Sequence, residues 1–159
     1  MFVDQFSGSE QVVLDAAPAA VFALITDVDR LPEWNEHIHH VIAPAGGPLS
    51  PGSEWVVQMR AMHTRWPSRA VASVVDRDNL RFEHTSRSDD RNPSYVLWTW
   101  PVRSAGRRTE LTVTWVGRPR TFWRRALLAR VRAPQLRDEV RATLAGLGSH
   151  LVAERVADR

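Results

Sequence analysis

The sequence predicts an α+β domain, an antiparallel meander of strands followed by a long C-terminal helix. Three observations predict it. Between residues 54 and 116, apolar and polar side chains alternate in short runs separated by turn-forming clusters, the period of half-buried strands. From Arg120 onward the period becomes helical. No linker, repeat or low-complexity stretch divides the 159 residues, a length that suits one domain, 1–159, with its own core.

The elements follow in order. SEQVVLD (9–15) reads as a first strand. In AAPAAVFALITDVDRLPEW, Pro18 suits a first helical turn, and Val21, Phe22 and Ile25 are spaced for one buried face. Asp27 or Asp29 caps a second short helix, with Leu31 and Trp34 turned inward. A second strand begins within EWNEHIHHVI (33–42), and GGPLSPG (46–52) is a turn. EWVVQMRAM then places Trp55, Val57, Met59 and Ala61 on one face. RAVASVV (69–75) is a strand, DRDN a turn, and LRFEH (80–84) sets Leu80, Phe82 and His84 against Arg81 and Glu83. Beyond the turn RSDDRNP (87–93), YVLWTWPV groups Val96, Trp98, Trp100 and Val102. After SAGRR, ELTVTWV sets Leu111, Val113 and Trp115 against Thr112 and Thr114. Each strand buries one face and wets the other. The C-terminal region reads as a segment TFWRRALLARVRA, interrupted before Pro134, and then a helix with Leu136, Val140, Leu144, Leu147 and Leu151 along one stripe.

Composition narrows the chemistry. With no cysteine, disulfides, thiolate nucleophiles and thiolate metal ligands are excluded. The longest apolar run, AAPAAVFALI (16–25), is far short of the roughly 20 residues that cross a bilayer. The first ten residues, MFVDQFSGSE, have no apolar core of signal-peptide length, and the expectation is a cytoplasmic protein. All 21 basic residues are arginine, and guanidinium groups do not titrate near pH 10, so the isoelectric point of 10.8 accompanies a net charge of only +3. Nucleic acid is therefore not an expected partner.

EWNEHIHHVI packs three histidines and two glutamates into ten positions. On a strand His37 and His39 share a face while His40 points the other way, so the three do not converge on one metal. No further ligand is signposted by spacing, and the expectation is a polar strand start with no metal.

The stretch APAAVFALITDVDRLPEWNEHIHHV, the hairpin VDRDNLRFE and the segment RTELTVTW together resemble the START-like superfamily of polyketide cyclases, dehydrases and lipid-transport proteins, to which the birch pollen allergen fold belongs. The resemblance implies a helix-grip fold: a curved seven-stranded antiparallel sheet around a long C-terminal helix, with two short helices after strand 1. It also implies a cavity between sheet and helix for a small hydrophobic ligand, aromatic, polyketide-like or lipid-like, and no cofactor. The walls would come from Val57, Met59, Phe82, His84, Trp98, Trp100 and Trp115, and the floor from Leu136, Val140 and Leu144.

In the cyclase branch, inward polar groups polarise ketones, and His84 or Arg69 would be the catalytic group here. Trp66, Ala70 and Val74 lie opposite Arg69, so if they point inward Arg69 points out, unless a bulge at Pro67 changes the phase. Tyr95, the single tyrosine, is out of phase with Trp98, which favours binding without chemistry. Gly146 and Gly148 sit inside the final helix and suggest a close approach of sheet or ligand. RPRTFWRRALLARVR (118–132) carries six arginines interleaved with Phe122, Trp123, Leu127 and Leu128, a pattern that also suits transient membrane contact. Either a monomer or a homodimer paired through a sheet edge is compatible with these features.

Overall fold

The computed structural model of the protein describes residues 4–159. Strand β1 (Phe6–Leu14) leads into helix α1 (Pro18–Thr26) and a 3-10 helix (Val28–Glu33). Six strands follow: β2 (Ile38–Ala43), β3 (Glu54–Ala61), β4 (Thr64–Asp76), β5 (Arg81–Ser88), β6 (Tyr95–Ala105) and β7 (Arg108–Arg118). The final helix α2 (Ala129–Ala157) is preceded by a π-helical turn at Arg124–Leu128. One seven-stranded sheet runs in the order β1-β7-β6-β5-β4-β3-β2, antiparallel throughout, and β7 crosses back to pair with β1. This is the helix-grip architecture that the resemblance implies.

The alternation read in the sequence decides which face is inside. Trp55 and Val57 on β3, Phe82 on β5, Trp100 and Val102 on β6, and Leu111, Val113 and Trp115 on β7 all fall within the buried core. Leu136, Val140, Leu144, Leu147 and Leu151 meet them from α2, as their helical spacing requires. Ion pairs at the rim hold α2 along the edge strand: Arg137 and Arg141 reach Glu10 at 2.8 and 3.1 Å, and Arg155 reaches Asp15 at 2.8 Å. At the other side Arg30 joins Glu33 and Glu154, tying the 3-10 helix to the end of α2.

Three local expectations change. The bulge in β4 falls at Ser73, where the register with β5 shifts between Ala72 and Val74, and Pro67 pairs with Gln58 in unbroken register. The extra residue turns Val75, opposite Phe82, toward the core, and Val74 pairs with the outer-face Glu83. Leu80 lies in the turn at φ +52°, so β5 starts at Arg81 and runs on through Ser88. Helix α2 is not interrupted before Pro134; it runs through it. Pro134 has no N–H for the preceding turn, and the irregularity sits upstream in the widened turn at Arg124–Leu128.

Candidate ligand-binding site

The concave face of the sheet and the facing side of α2 enclose a cavity of about 440 Å³, within the ~300–1,000 Å³ typical of small-molecule sites. It opens between the β3–β4 hairpin, where Met62 is exposed, and the first turns of α2, where Val131 is exposed.

One wall is aromatic, because consecutive strands present rings at matching register. His84 stands directly opposite Trp98, and Phe82 opposite Trp100. The His84 ring centroid lies 5.1 Å from Phe82, 5.4 Å from Trp55, 6.1 Å from Trp98 and 6.3 Å from Trp100. Both β6 indoles stack on it, at interplanar angles of 16° and 20°.

The polar atoms in this wall have assigned roles. The Trp98 indole N–H donates to the Ser86 hydroxyl at 2.8 Å, and the Trp100 N–H donates to Nε2 of His84 at 3.2 Å. An indole nitrogen only donates, so Nε2 is an acceptor and the ring proton of the neutral imidazole sits on Nδ1. Nδ1 has no hydrogen-bond partner, and neither has Nε1 of Trp34, another lining residue. Burial pushes the His84 imidazole down to about 3. What area the ring keeps faces the indole-lined cavity rather than bulk solvent, so a charge there would be poorly solvated.

Across the cavity, α2 contributes Leu136 and Val140 together with a polar group. Glu139, only 7% exposed, accepts a hydrogen bond from Arg132, whose guanidinium lies 5.7 Å over the Trp66 ring. Gln135 Oε1, between them on the same face, has no partner.

The model of the family described as polyketide cyclase/dehydrase and lipid transport matches residues 5–152. The chain belongs to that family. No curated protein matches it closely enough to add to this. Among solved structures, this family member resembles TTHA0849 from Thermus thermophilus, with 20% identity, TM-score 0.73, and 94% of this chain and 99% of that one covered. It also resembles Ara h 8.0201, with 14% identity, TM-score 0.71 and coverage of 93% and 99%. The major latex-like protein 151 of Panax ginseng shares 8% identity at TM-score 0.71, with coverage of 92% and 97%. At these identities the likeness shows the fold.

In this cyclase/lipid-transport family member, Val57, Met59, Phe82, His84, Trp98, Trp100, Leu136 and Val140 all line the cavity. Trp115 and Leu144 do not. A Cβ on Gly8 would lie 2.2 Å from the Trp115 ring, so the indole lies flat over Gly8 on the neighbouring strand, and Arg137 stacks on it at 5.4 Å. Trp115 is thus sealed under β1. Leu144 lies past Thr143, the last cavity-lining residue of α2, and is buried in the core.

Arg69 is not in the cavity. Trp66 and Ala70 line it, and Arg69 on the opposite face pairs with Asp89 at 3.0 Å and Glu54 at 3.5 Å. Ser73, four residues on from Arg69, is the exposed bulge residue. His37 lines the cavity, while His39 and His40 are exposed and meet ring edge to ring face at 5.3 Å. Among the described residues no three His, Asp or Glu side chains gather as a metal requires.

Sequence reasoning missed Ser86, Arg132, Gln135 and Glu139. The signal was present for the last three. Their spacing of three, four and seven puts them on one helix face, beside Leu136 and Val140 of the apolar stripe.

Proposed function

We propose that this protein binds a flat, apolar ligand that carries a hydrogen-bond-accepting oxygen, held between the aromatic wall and α2. The observation that supports this best is the cluster around His84: four large rings within 6.3 Å of an imidazole whose remaining N–H lacks a partner. Rings favour stacking on a planar surface. An unpartnered N–H in a dry wall favours a ligand that brings an acceptor, since leaving it bare costs about 1–3 kcal/mol.

Quenching of tryptophan fluorescence by acetylnaphthalene and by ethylnaphthalene tests the reading. Both are expected to quench, with the ketone bound about tenfold more tightly. His84→Phe should abolish the difference and leave the binding of the hydrocarbon in place. Quenching by neither compound would sink the proposal.

A second reading, a polyketide cyclase/dehydrase-type enzyme, is favoured by one observation, the buried carboxylate of Glu139 facing the cavity. In it His84, neutral above about pH 3, polarises a carbonyl by donating a hydrogen bond and transfers no proton. Glu139 would take the proton beside the activated carbonyl. Turnover lost in Glu139→Gln with ligand affinity retained would support catalysis; binding without turnover in the unaltered protein would leave the ligand-carrier reading.

A further inference from the structure

Of the ten large apolar side chains left exposed among the described residues, four fall in one short segment. Phe122, Trp123, Leu127 and Val131 are 60%, 68%, 61% and 56% exposed, and all lie in the segment that opens the C-terminal helix. Trp123, Leu127 and Val131 follow one another at intervals of four, so they share a helix face. Phe122 packs edge to face on Trp123, at 5.4 Å. Across the cavity mouth, the tip of the β3–β4 hairpin holds Met62 at 58% exposure. Met62 and His63 both have positive φ, 49° and 61°, the tight-turn geometry that drives the methionine outward at the tip. Two elements far apart in sequence therefore present exposed apolar residues around one opening.

The charged residues within the two segments are all basic. Residues 118–132 contain six arginines and no acid, and residues 60–65 contain two arginines, one histidine and no acid. Among the described residues, Asp90 reaches Arg124, Asp4 reaches Arg125 and Glu139 reaches Arg132, so arginine stays in excess of acid around the mouth. Guanidinium groups match phosphate in shape and charge.

We propose that this rim docks the cavity mouth onto an anionic phospholipid bilayer. Apolar tips with arginines at their bases suit the boundary between acyl chains and phosphates. The location argues for a bilayer over a soluble partner, because the rim surrounds the opening of an apolar cavity and a bilayer is a reservoir of apolar molecules. The far end of the same helix supplies the contrast. Val152 and Val156 are as exposed, at 55% and 68%, but there Glu154 and Asp158 offset Arg155 and Arg159, and Arg155 is paired with Asp15, so no excess of positive charge surrounds them.

The test is flotation of the full chain with vesicles of phosphatidylcholine alone and of equal parts phosphatidylcholine and phosphatidylglycerol. Binding is expected to the mixed vesicles only, and to fall as salt rises. Brominated acyl chains should quench part of the tryptophan emission, through Trp123. Trp123→Glu with Leu127→Glu should weaken binding at least about tenfold, and Met62→Glu should weaken it as well. Val156→Glu should leave it unchanged. Because all four positions are exposed, unchanged melting curves will show that the variants remain folded. Absence of vesicle binding, equal binding to both compositions, or insensitivity to Met62→Glu would overturn the proposal. So would concentration-dependent dimerisation, abolished by the same variants, in a protein that ignores vesicles.

Discussion

A Cβ added to Gly146 would lie 2.3 Å from the backbone carbonyl oxygen of Trp34, whereas one added to Gly148 would meet only the end of the Leu14 side chain, at 3.5 Å. The two glycines look alike in the sequence and do different things. Gly146 lets the helix touch the backbone that leads out of the 3-10 helix, and Trp34, 4% exposed, is locked there. The close approach is thus to this connection rather than to the sheet or a ligand. Gly148 only weakens the helix. Alanine at position 146 gains roughly 1 kcal/mol of helix propensity but forces a backbone to move, and overpacking of this kind costs about 1–3 kcal/mol. Chemical denaturation should therefore show Gly146→Ala to be destabilised. Gly148→Ala should be stabilised by about 0.5–1 kcal/mol. The reverse order would refute the close approach.

At the scale of the element, β4 carries two messages on its two faces. Its inner face gives Trp66, Ser68 and Ala70 to the cavity, and its outer face gives Arg69 to Asp89 and Glu54. Partly exposed pairs like these contribute about 0–1 kcal/mol. Arg69→Ala should then leave ligand affinity unchanged and stability within about 1 kcal/mol of the parent. Trp66→Ala should lower affinity, by removing both a ring from the wall and the surface under Arg132. If Arg69→Ala abolished binding while Trp66→Ala did not, the phase of this strand would be wrong. The sequence contained both phases, since alternation names two faces without saying which is inside. The structure chose between them by placing Trp66 and Ala70 in the cavity wall, and the extra residue falls at Ser73, in the pairing with β5, rather than at the proline.

For the whole molecule, the buried imidazole couples folding to pH. His84 is held near 3, below the ordinary 6.5, so the unfolded chain takes up a proton that the folded protein refuses. Its contribution to stability is complete above pH 6.5 and is lost as pH falls toward 3, at about 1.4 kcal/mol per unit. Between pH 7.5 and 5 the loss should be about 2 kcal/mol. Carboxylates lowered by arginine partners, such as Glu10, Glu33 and Glu154, act below this window, near their ordinary 4.5. Denaturation curves should therefore flatten over that range in His84→Phe, leaving only the smaller contribution of the exposed His39, which Arg65 also holds below its ordinary value. A slope undiminished in the variant would mean that His84 does not carry it. The sequence by itself determined the order of elements and most of the inward faces, because local period and turn chemistry are written in neighbouring residues, and the helix-grip fold through its resemblance to the START-like superfamily. Tertiary structure alone decided that Trp115 is sealed under Gly8, that Arg69 faces out, that the Trp100 N–H fixes the proton of His84, and that Met62 and Val131 line the same cavity. Each of these depends on which residue of a distant element lies opposite, and that is set by register and packing across the sheet rather than by any pattern along the chain.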